Sequence, residues 1–369
     1  MSAQEFVQKH KLLECIQCGI CTGSCPVSRK TNLNIRAYMR EIALTGRMIT
    51  CQQDKLWSCT TCSNCRVRCP KNLNPLEFLI DIRSMAVEGG QITPTIRDAL
   101  ESVFKNGNPW GRIRSKRSEW AQGLNVKHVS QGVDILYFVG CTPAYDPRIQ
   151  DVARSLAKCL EKSGIKFGTL GNEENCCGNE VYGMGEKGLF ELIVEENIKT
   201  FKKYDVKHVV TSCPHSYHAF KNRYGQRDFE VKHHTQLLAE SIEEGNLKIL
   251  RDVNKTVIYH DPCFLGKQNG VYEEPRRVIQ SIPGVDLIEF ERNRERSLCC
   301  EGGGGRMWVD IPGERLAAMR VREAVEAGAE LLVTACPFCI LTFEDAIKTA
   351  DLEGRIRVMD VAELLSYAI

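Results

Sequence analysis

Residues 15–26 read CIQCGICTGSCP and residues 59–70 read CTTCSNCRVRCP. Both follow C-x2-C-x2-C-x3-C-P, with Cys15, Cys18, Cys21 and Cys25 before Pro26, and Cys59, Cys62, Cys65 and Cys69 before Pro70. This is the thiolate spacing of a 4Fe–4S cluster. Its appearance twice in one chain points to electron transfer. Thiolates suit a soft iron–sulfur site better than oxygen ligands do, and each proline ends its ligand loop because it has no N–H to donate. Structural zinc also uses C-x2-C pairs, but with four ligands per ion and without this rhythm.

In a two-cluster run the fourth cysteine ligates the other cluster. One cluster would then take Cys15, Cys18, Cys21 and Cys69, and the other Cys59, Cys62, Cys65 and Cys25. Between the runs, Asn34 to Met48 carries Ile35, Tyr38, Met39, Ile42 and Ala43 at helical spacing, with Gly46 as a stop. That insert is too long for small β-hairpins, so residues 1–104 look like an α-helical ferredoxin domain. Cys51 lies outside the pattern and reads as a buried small side chain.

The chain has 369 residues, room for two or three domains. Hydrophobic residues make up 43% and charged residues 26%, ordinary for a globular protein, and the net charge of +2 implies no nucleic-acid partner. The basic run Arg112, Arg114, Lys116 and Arg117 reads as a solvated or partner-docking face. There is no apolar run of membrane-spanning length and no apolar core of a secretory signal near Met1 to Lys11. A chain with nineteen cysteines could carry disulfides, but that suits short secreted scaffolds. A reducing, cytoplasmic setting with metal-bound thiolates fits better.

Residues 105–132 are rich in Gly, Asn, Ser and charge and read as a connector that wraps a neighbouring surface, anchored by Trp110 and Trp120. The remainder repeats itself. Cys141 corresponds to Cys263 at an offset of 122 residues; Cys176–Cys177 correspond to Cys299–Cys300, and Cys213 to Cys336, at 123. A near-constant offset with matching flanks (HVVTSC, LLVTAC) marks two copies of one unit. We place them at residues 133–250 and 251–369. In each copy β-rich runs (Ile135–Val139 and His208–Thr211; Thr256–Tyr259 and Leu331–Thr334) bracket a helical segment (Ile149–Lys162; Pro275–Ser281). This alternation predicts an α/β fold with parallel sheets, whose sites form beyond the carboxyl ends of strands. Cys141, Cys213, Cys263 and Cys336 all sit there.

The second copy offers Cys263, Cys299, Cys300, Cys336 and Cys339. Adjacent cysteines cannot easily ligate one iron but can serve neighbouring irons of a cluster. Gly302–Gly305 would let the backbone pass close and aim N–H groups at cluster sulfurs. The motifs Cys176-Cys177-Gly178, His260-Asp261-Pro262-Cys263, Cys299-Cys300-Glu301 with the following glycines, and Cys336-Pro337-Phe338-Cys339, behind a two-cluster ferredoxin, resemble the catalytic iron–sulfur subunits of the heterodisulfide reductase family. They are also similar to the iron–sulfur subunits of glycolate oxidase and anaerobic glycerol-3-phosphate dehydrogenase. The resemblance covers nearly the whole chain. It implies two cubane 4Fe–4S clusters feeding a non-cubane 4Fe–4S cluster on the five second-lobe cysteines, where a disulfide is cleaved or thiols oxidised. A relay subunit between a flavoprotein dehydrogenase and a quinone or other carrier shares every motif.

Two departures stand out. Glu301 replaces the motif's glycine, with Gly302 expected to supply the flexibility. Ser216 occupies the position of a fifth first-lobe cysteine beside Cys141, Cys176, Cys177 and Cys213, which leaves open whether a further iron–sulfur cluster forms there and of what type. The resemblance also implies partner subunits of a redox complex, with membrane association through one of them, and a small disulfide or thiol substrate.

Weaker signals read structurally. Gly183–Gly188 spells G-x-G-x-x-G but follows a cysteine pair rather than a strand, so it shapes a loop. No flavin or nicotinamide motif is present, so hydride chemistry belongs elsewhere. His260 is a structural histidine, or else orients a ligand or donates a proton; His215, His218, His233 and His234 read similarly, and Cys159 reads as core.

Overall fold

The computed structural model describes residues 2–47 and 53–369, with the backbone alone for Gln53 and Asp54; Cys51 and Met48 lie outside the described residues. Among the described residues the first hundred positions form helices and no strand. Asn34 caps the helix Ile35–Thr45 by accepting from the Ala37 N–H at 3.0 Å. Gly46 ends it in the left-handed region at φ +62°, as its place in the sequence predicts. Ile35, Met39 and Ile42 point inward. Two longer helices follow, Pro75–Glu88 and Pro94–Asn106. Each has proline in its first turn and a polar N-cap, Asn74 and Thr93.

In residues 105–132 the two tryptophans pack on lobe residues. Trp120 packs edge-on against Tyr137 (5.8 Å between centroids), while Trp110 meets Trp308 (5.2 Å) and Phe338 (6.2 Å). The same stretch also contributes a strand, β1 (Lys127–His128), too short to carry a period in the sequence. The first lobe adds β2 (Ile135–Tyr137), β3 (Phe167–Thr169), β4 (His208–Thr211) and β5 (Glu230–His233). The second has β6 (Lys255–Tyr259), β7 (Val285–Ile288), β8 (Leu331–Thr334) and β9 (Arg357–Asp360).

Sheet order is β1-β3-β2-β4-β5 in the first lobe and β7-β6-β8-β9 in the second. Every pairing is parallel. With β1 removed the two orders are the same, which is the duplication seen in three dimensions. Parallel strands are covered on both faces, so Leu331–Thr334 is an unbroken buried run. One hydrophobic core crosses between the lobes, taking Val139, Leu156, Leu160 and Leu238 from the first and Val257, Val278, Ile279 and Leu364 from the second. Among the described residues no helix is long and apolar enough to cross a membrane.

Candidate iron–sulfur centres

Cys15, Cys18, Cys21 and Cys69 line one small cavity together with Met39 and Leu73. Their loop is turned by Gln17 and Gly19, both at positive φ, and Gln17 Nε2 donates to Cys15 Sγ at 3.4 Å. Cys25 groups with Cys59, Cys62 and Cys65 instead. The fold thus gathers the two crossed sets of four. Burial, reinforced by the nearby Cys59 and Cys62 thiols, pushes Cys25 up to about 12; burial and the same neighbours push Cys65 well above the thiol range. Packed thiols of this kind give up their protons to a bound metal. The donor set, four sulfurs from two loops, fits a 4Fe–4S cubane.

In the second lobe, sulfurs arrive from the carboxyl ends of three strands: Cys263 after β6, Cys299–Cys300 after β7, and Cys336–Cys339 after β8. Cys336 caps the helix Pro337–Thr349 and Cys339 lies in its first turn. Asp261 braces the first loop, accepting from both Arg276 Nη atoms (2.8 and 2.9 Å) and from the Arg294 N–H (2.7 Å). Neighbouring thiols act on one another: Cys299 and burial push Cys263 well above the thiol range, and burial, then Cys300 and Cys336, does the same for Cys339. Donation from Cys299 and Cys339 holds Cys300 well below its usual range despite burial. Cys299 packs in the same buried cluster as Cys59, Cys62 and Cys65, so the second ferredoxin set adjoins this lobe's set.

His260 places a ring nitrogen within 4.8 Å of the Cys300 and Cys339 sulfurs. Arg320 Nε donates to its Nδ1 at 3.4 Å, which assigns the ring proton to Nε2. Burial, then the Arg320 charge, keeps this imidazole neutral, well below its ordinary range.

One expectation changes here. Glu301, not Gly302, takes the left-handed conformation (φ +77°), matching Gly178 (φ +78°) in the first lobe. It is held there by Lys30 (2.6 Å), Arg306 (3.0 Å) and the Leu316 N–H (2.8 Å). The glycine loop also lies against the ferredoxin ligand loop: a Cβ at Gly304 would stand 2.7 Å from the Cys59 carbonyl oxygen.

The first lobe repeats the plan with Cys141, Cys176–Cys177 and Cys213; Cys141, Cys177 and burial push the Cys176 thiol well above its usual range. Donation from Cys176, then the Arg117 charge against burial, lowers Cys141 to about 7. Arg117 overturns its reading as part of a solvated face. It is only 2% exposed because Glu174 draws it inward (2.8 Å), and its Nη2 reaches Cys141 Sγ at 3.6 Å. Arg112, Arg114 and Lys116 stay exposed. Ser216 does face this site, with its Oγ 3.7 Å from where a Cβ on Gly140 would sit.

His215 lies 3.9 Å from Cys213 Sγ and packs on Phe264 and Phe338 of the other lobe (4.2 and 4.8 Å), neutral because burial lowers it to about 3. His218, His233 and His234 are buried on Asn222 and Asn269, on Thr235 and Ser212, and on Asp360, which are structural placements. Gly185 touches the backbone of Arg83, and Cys159 sits in the core. Arg83, Lys267 and Glu174 escaped the sequence reading because nothing local distinguishes them.

A family model described as "4Fe-4S dicluster domain" matches residues 11–73, and one described as "Cysteine-rich domain" matches residues 135–221 and 257–344. The chain is 36% identical to the "Probable iron-sulfur-binding oxidoreductase FadF" of Bacillus subtilis, over 89% of this chain and 48% of that protein. It is 34% identical to the "EtfAB:quinone oxidoreductase" of Syntrophomonas wolfei, over 86% and 47%. It therefore spans about half the length of these two relatives. It is 32% identical to one subunit of the dihydromethanophenazine:CoB--CoM heterodisulfide reductase of Methanosarcina barkeri, over 98% of this chain and 95% of that subunit.

Proposed function

Because this chain belongs to the iron–sulfur oxidoreductase family that joins a 4Fe–4S dicluster segment to paired cysteine-rich domains and includes a heterodisulfide reductase subunit, we propose that it carries electrons to a disulfide. In this reading residues 1–104 hold two cubanes on the crossed cysteine sets. Residues 133–250 and 251–369 form the lobes, and Cys263, Cys299, Cys300, Cys336 and Cys339 hold a non-cubane cluster. The carrying observation is the convergence of cysteines: Cys59, Cys62, Cys65 and Cys299 share one buried cluster with Cys263 packed against it, and the Cys300 and Cys339 sulfurs lie within 4.8 Å of each other. When bound, the clusters supply electrons one at a time and a soft iron that captures thiolate. Reduction of a disulfide by two electrons and two protons gives two thiols, and the reverse oxidises them. His260, whose Nδ1 accepts from Arg320, keeps one ring nitrogen within 4.8 Å of the Cys300 and Cys339 sulfurs. Arg117 and Glu174 hold Cys141 beside Cys176, Cys177 and Cys213, a set that offers a place for a further cluster.

A relay role is the second reading, favoured by the 34% identity to a protein whose printed name couples EtfAB to quinone. Partner subunits, a flavoprotein or a membrane electron carrier, belong to both readings. The test is to reduce the protein anaerobically, add disulfides and follow the clusters by paramagnetic resonance. Oxidation of a signal that Cys339→Ser removes, with the cubane signals intact, supports disulfide chemistry. No response to disulfides, together with turnover between a flavoprotein and quinone, replaces it with the relay.

A further inference from the structure

The second ferredoxin set lies beside two buried cations that, among the described residues, have no carboxylate partner. Arg83, on the helix Pro75–Glu88, is fully buried (0% exposed). Its guanidinium donates to four carbonyl oxygens: Leu56 (3.0 Å), Cys59 (2.7 Å), Gly183 (2.7 Å) and Gly304 (3.0 Å). These come from the ferredoxin part and from both lobes. Lys267 is 9% exposed and donates to the Ser297 carbonyl (2.5 Å) and Asn64 Oδ1 (3.3 Å). Among the described residues neither cation pairs with a carboxylate; Glu180 acts on Arg83 only at longer range. Arg83 acts on Cys59, and Lys267 on Cys62.

The first set is different. Its cavity is lined by Arg36, half-exposed, and Lys71, exposed, and Cys18 reaches solvent. Charges in water are screened, whereas charges inside the protein are screened much less.

A cubane on four thiolates is an anion, and reduction adds one more negative charge. Burial alone disfavours that extra charge, which would make the second cubane harder to reduce than the first. Two weakly screened cations at its ligand loop act in the opposite sense, and an unpaired buried cation itself requires an anion nearby.

We infer that Arg83 and Lys267 are positioning residues that raise the reduction potential of the second cubane above that of the first, giving the wire its direction. One electron leaves the first cubane and arrives at the second, without a proton, and the second stands next to the lobe thiols through Cys62 and Cys299. The inference rests on the assignment of the eight ferredoxin cysteines to two cubanes and is independent of what the lobes do.

The test is an anaerobic potentiometric titration of the full chain, with dithionite as reductant, followed by paramagnetic resonance. Cys18→Ser assigns the first cubane's signal. The second cubane is expected to reduce first. Arg83→Gln and Lys267→Met should each lower its reduced-to-oxidised ratio at fixed potential at least tenfold (59 mV for one electron), with the first cubane unmoved. Arg83→Lys and Lys267→Arg should restore it. Where Arg83→Gln fails to fold, Lys267→Met decides. Reduction in the opposite order, or a charge-removing variant with full iron content and an unmoved second midpoint, overturns the inference. Fewer than two four-iron signals in the unaltered protein overturns the cubane assignment, and the inference with it.

Discussion

Replacing Glu301 with glycine sets two local effects against each other. Glu301 holds φ at +77°, where its repeat partner Gly178 sits at +78°. A non-glycine residue there costs about 1–2 kcal/mol, which Glu301→Gly recovers. The carboxylate, however, is buried and bound to Lys30 at 2.6 Å, Arg306 at 3.0 Å and the Leu316 N–H at 2.8 Å. Removing one partner of a buried ion pair costs about 3–5 kcal/mol, because the remaining charge is left without compensation. Loss exceeds relief, so Glu301→Gly should destabilise the protein by about 2–3 kcal/mol. Lys30→Met should then add less in the Glu301→Gly background than alone, since the two side chains act together. Anaerobic urea titrations of the iron-loaded variants, read by circular dichroism, give both numbers. A Glu301→Gly protein as stable as the original would refute the reasoning, because the relieved strain would then be as large as the lost contacts.

Three more outcomes follow from particular contacts. Asp81 is raised by burial but lowered more by hydrogen bonds from His10, Lys187 and Lys9, so its carboxyl ends well below the usual range. Its contribution to stability is full above its unfolded value of about 3.9 and is lost as pH falls toward the folded one; Asp81→Asn should flatten the stability profile below about pH 4. Arg117→Met strands Glu174 and should cost about 3 kcal/mol by urea midpoint, with part recovered by adding Glu174→Gln. Gly185→Ala forces a Cβ to within 2.6 Å of the Arg83 carbonyl carbon at a φ of +92°. It should cost about 3 kcal/mol and speed tryptic cleavage within residues 183–188.

The ferredoxin spacing, the 122–123-residue repeat and the strand-end cysteines were legible because each rests on a local pattern: a ligand rhythm, a hydrophobic period, a residue type at the end of a run. Gly46 and Asn34 mark their helix ends by short-range chemistry alone. The joints between the parts are not local. Arg83 reaches Gly183 and Gly304, 100 and 221 residues away, and carbonyl acceptors leave no trace in residue identity. Arg117 looked like its exposed neighbours because the charge that pulls it inward, Glu174, lies 57 residues on. Glu301 was visible as an exception to its motif, but its reason required the structure, since Lys30 comes from the opposite end of the chain. β1 pairs through only two residues, Lys127 and His128, too few for any alternation to register.

The apolar interior shared by the two lobes bears on how such a chain could arise. A lone ancestral lobe would have exposed the surface that Val257, Val278 and Leu364 now cover. To stay in solution it would have had to meet a twin, by the same self-complementary patch on each. Joined in one chain, the two lobes bury that surface against each other at every dilution, and they differ in their ligand sets, with Ser216 in one where the other has Cys339.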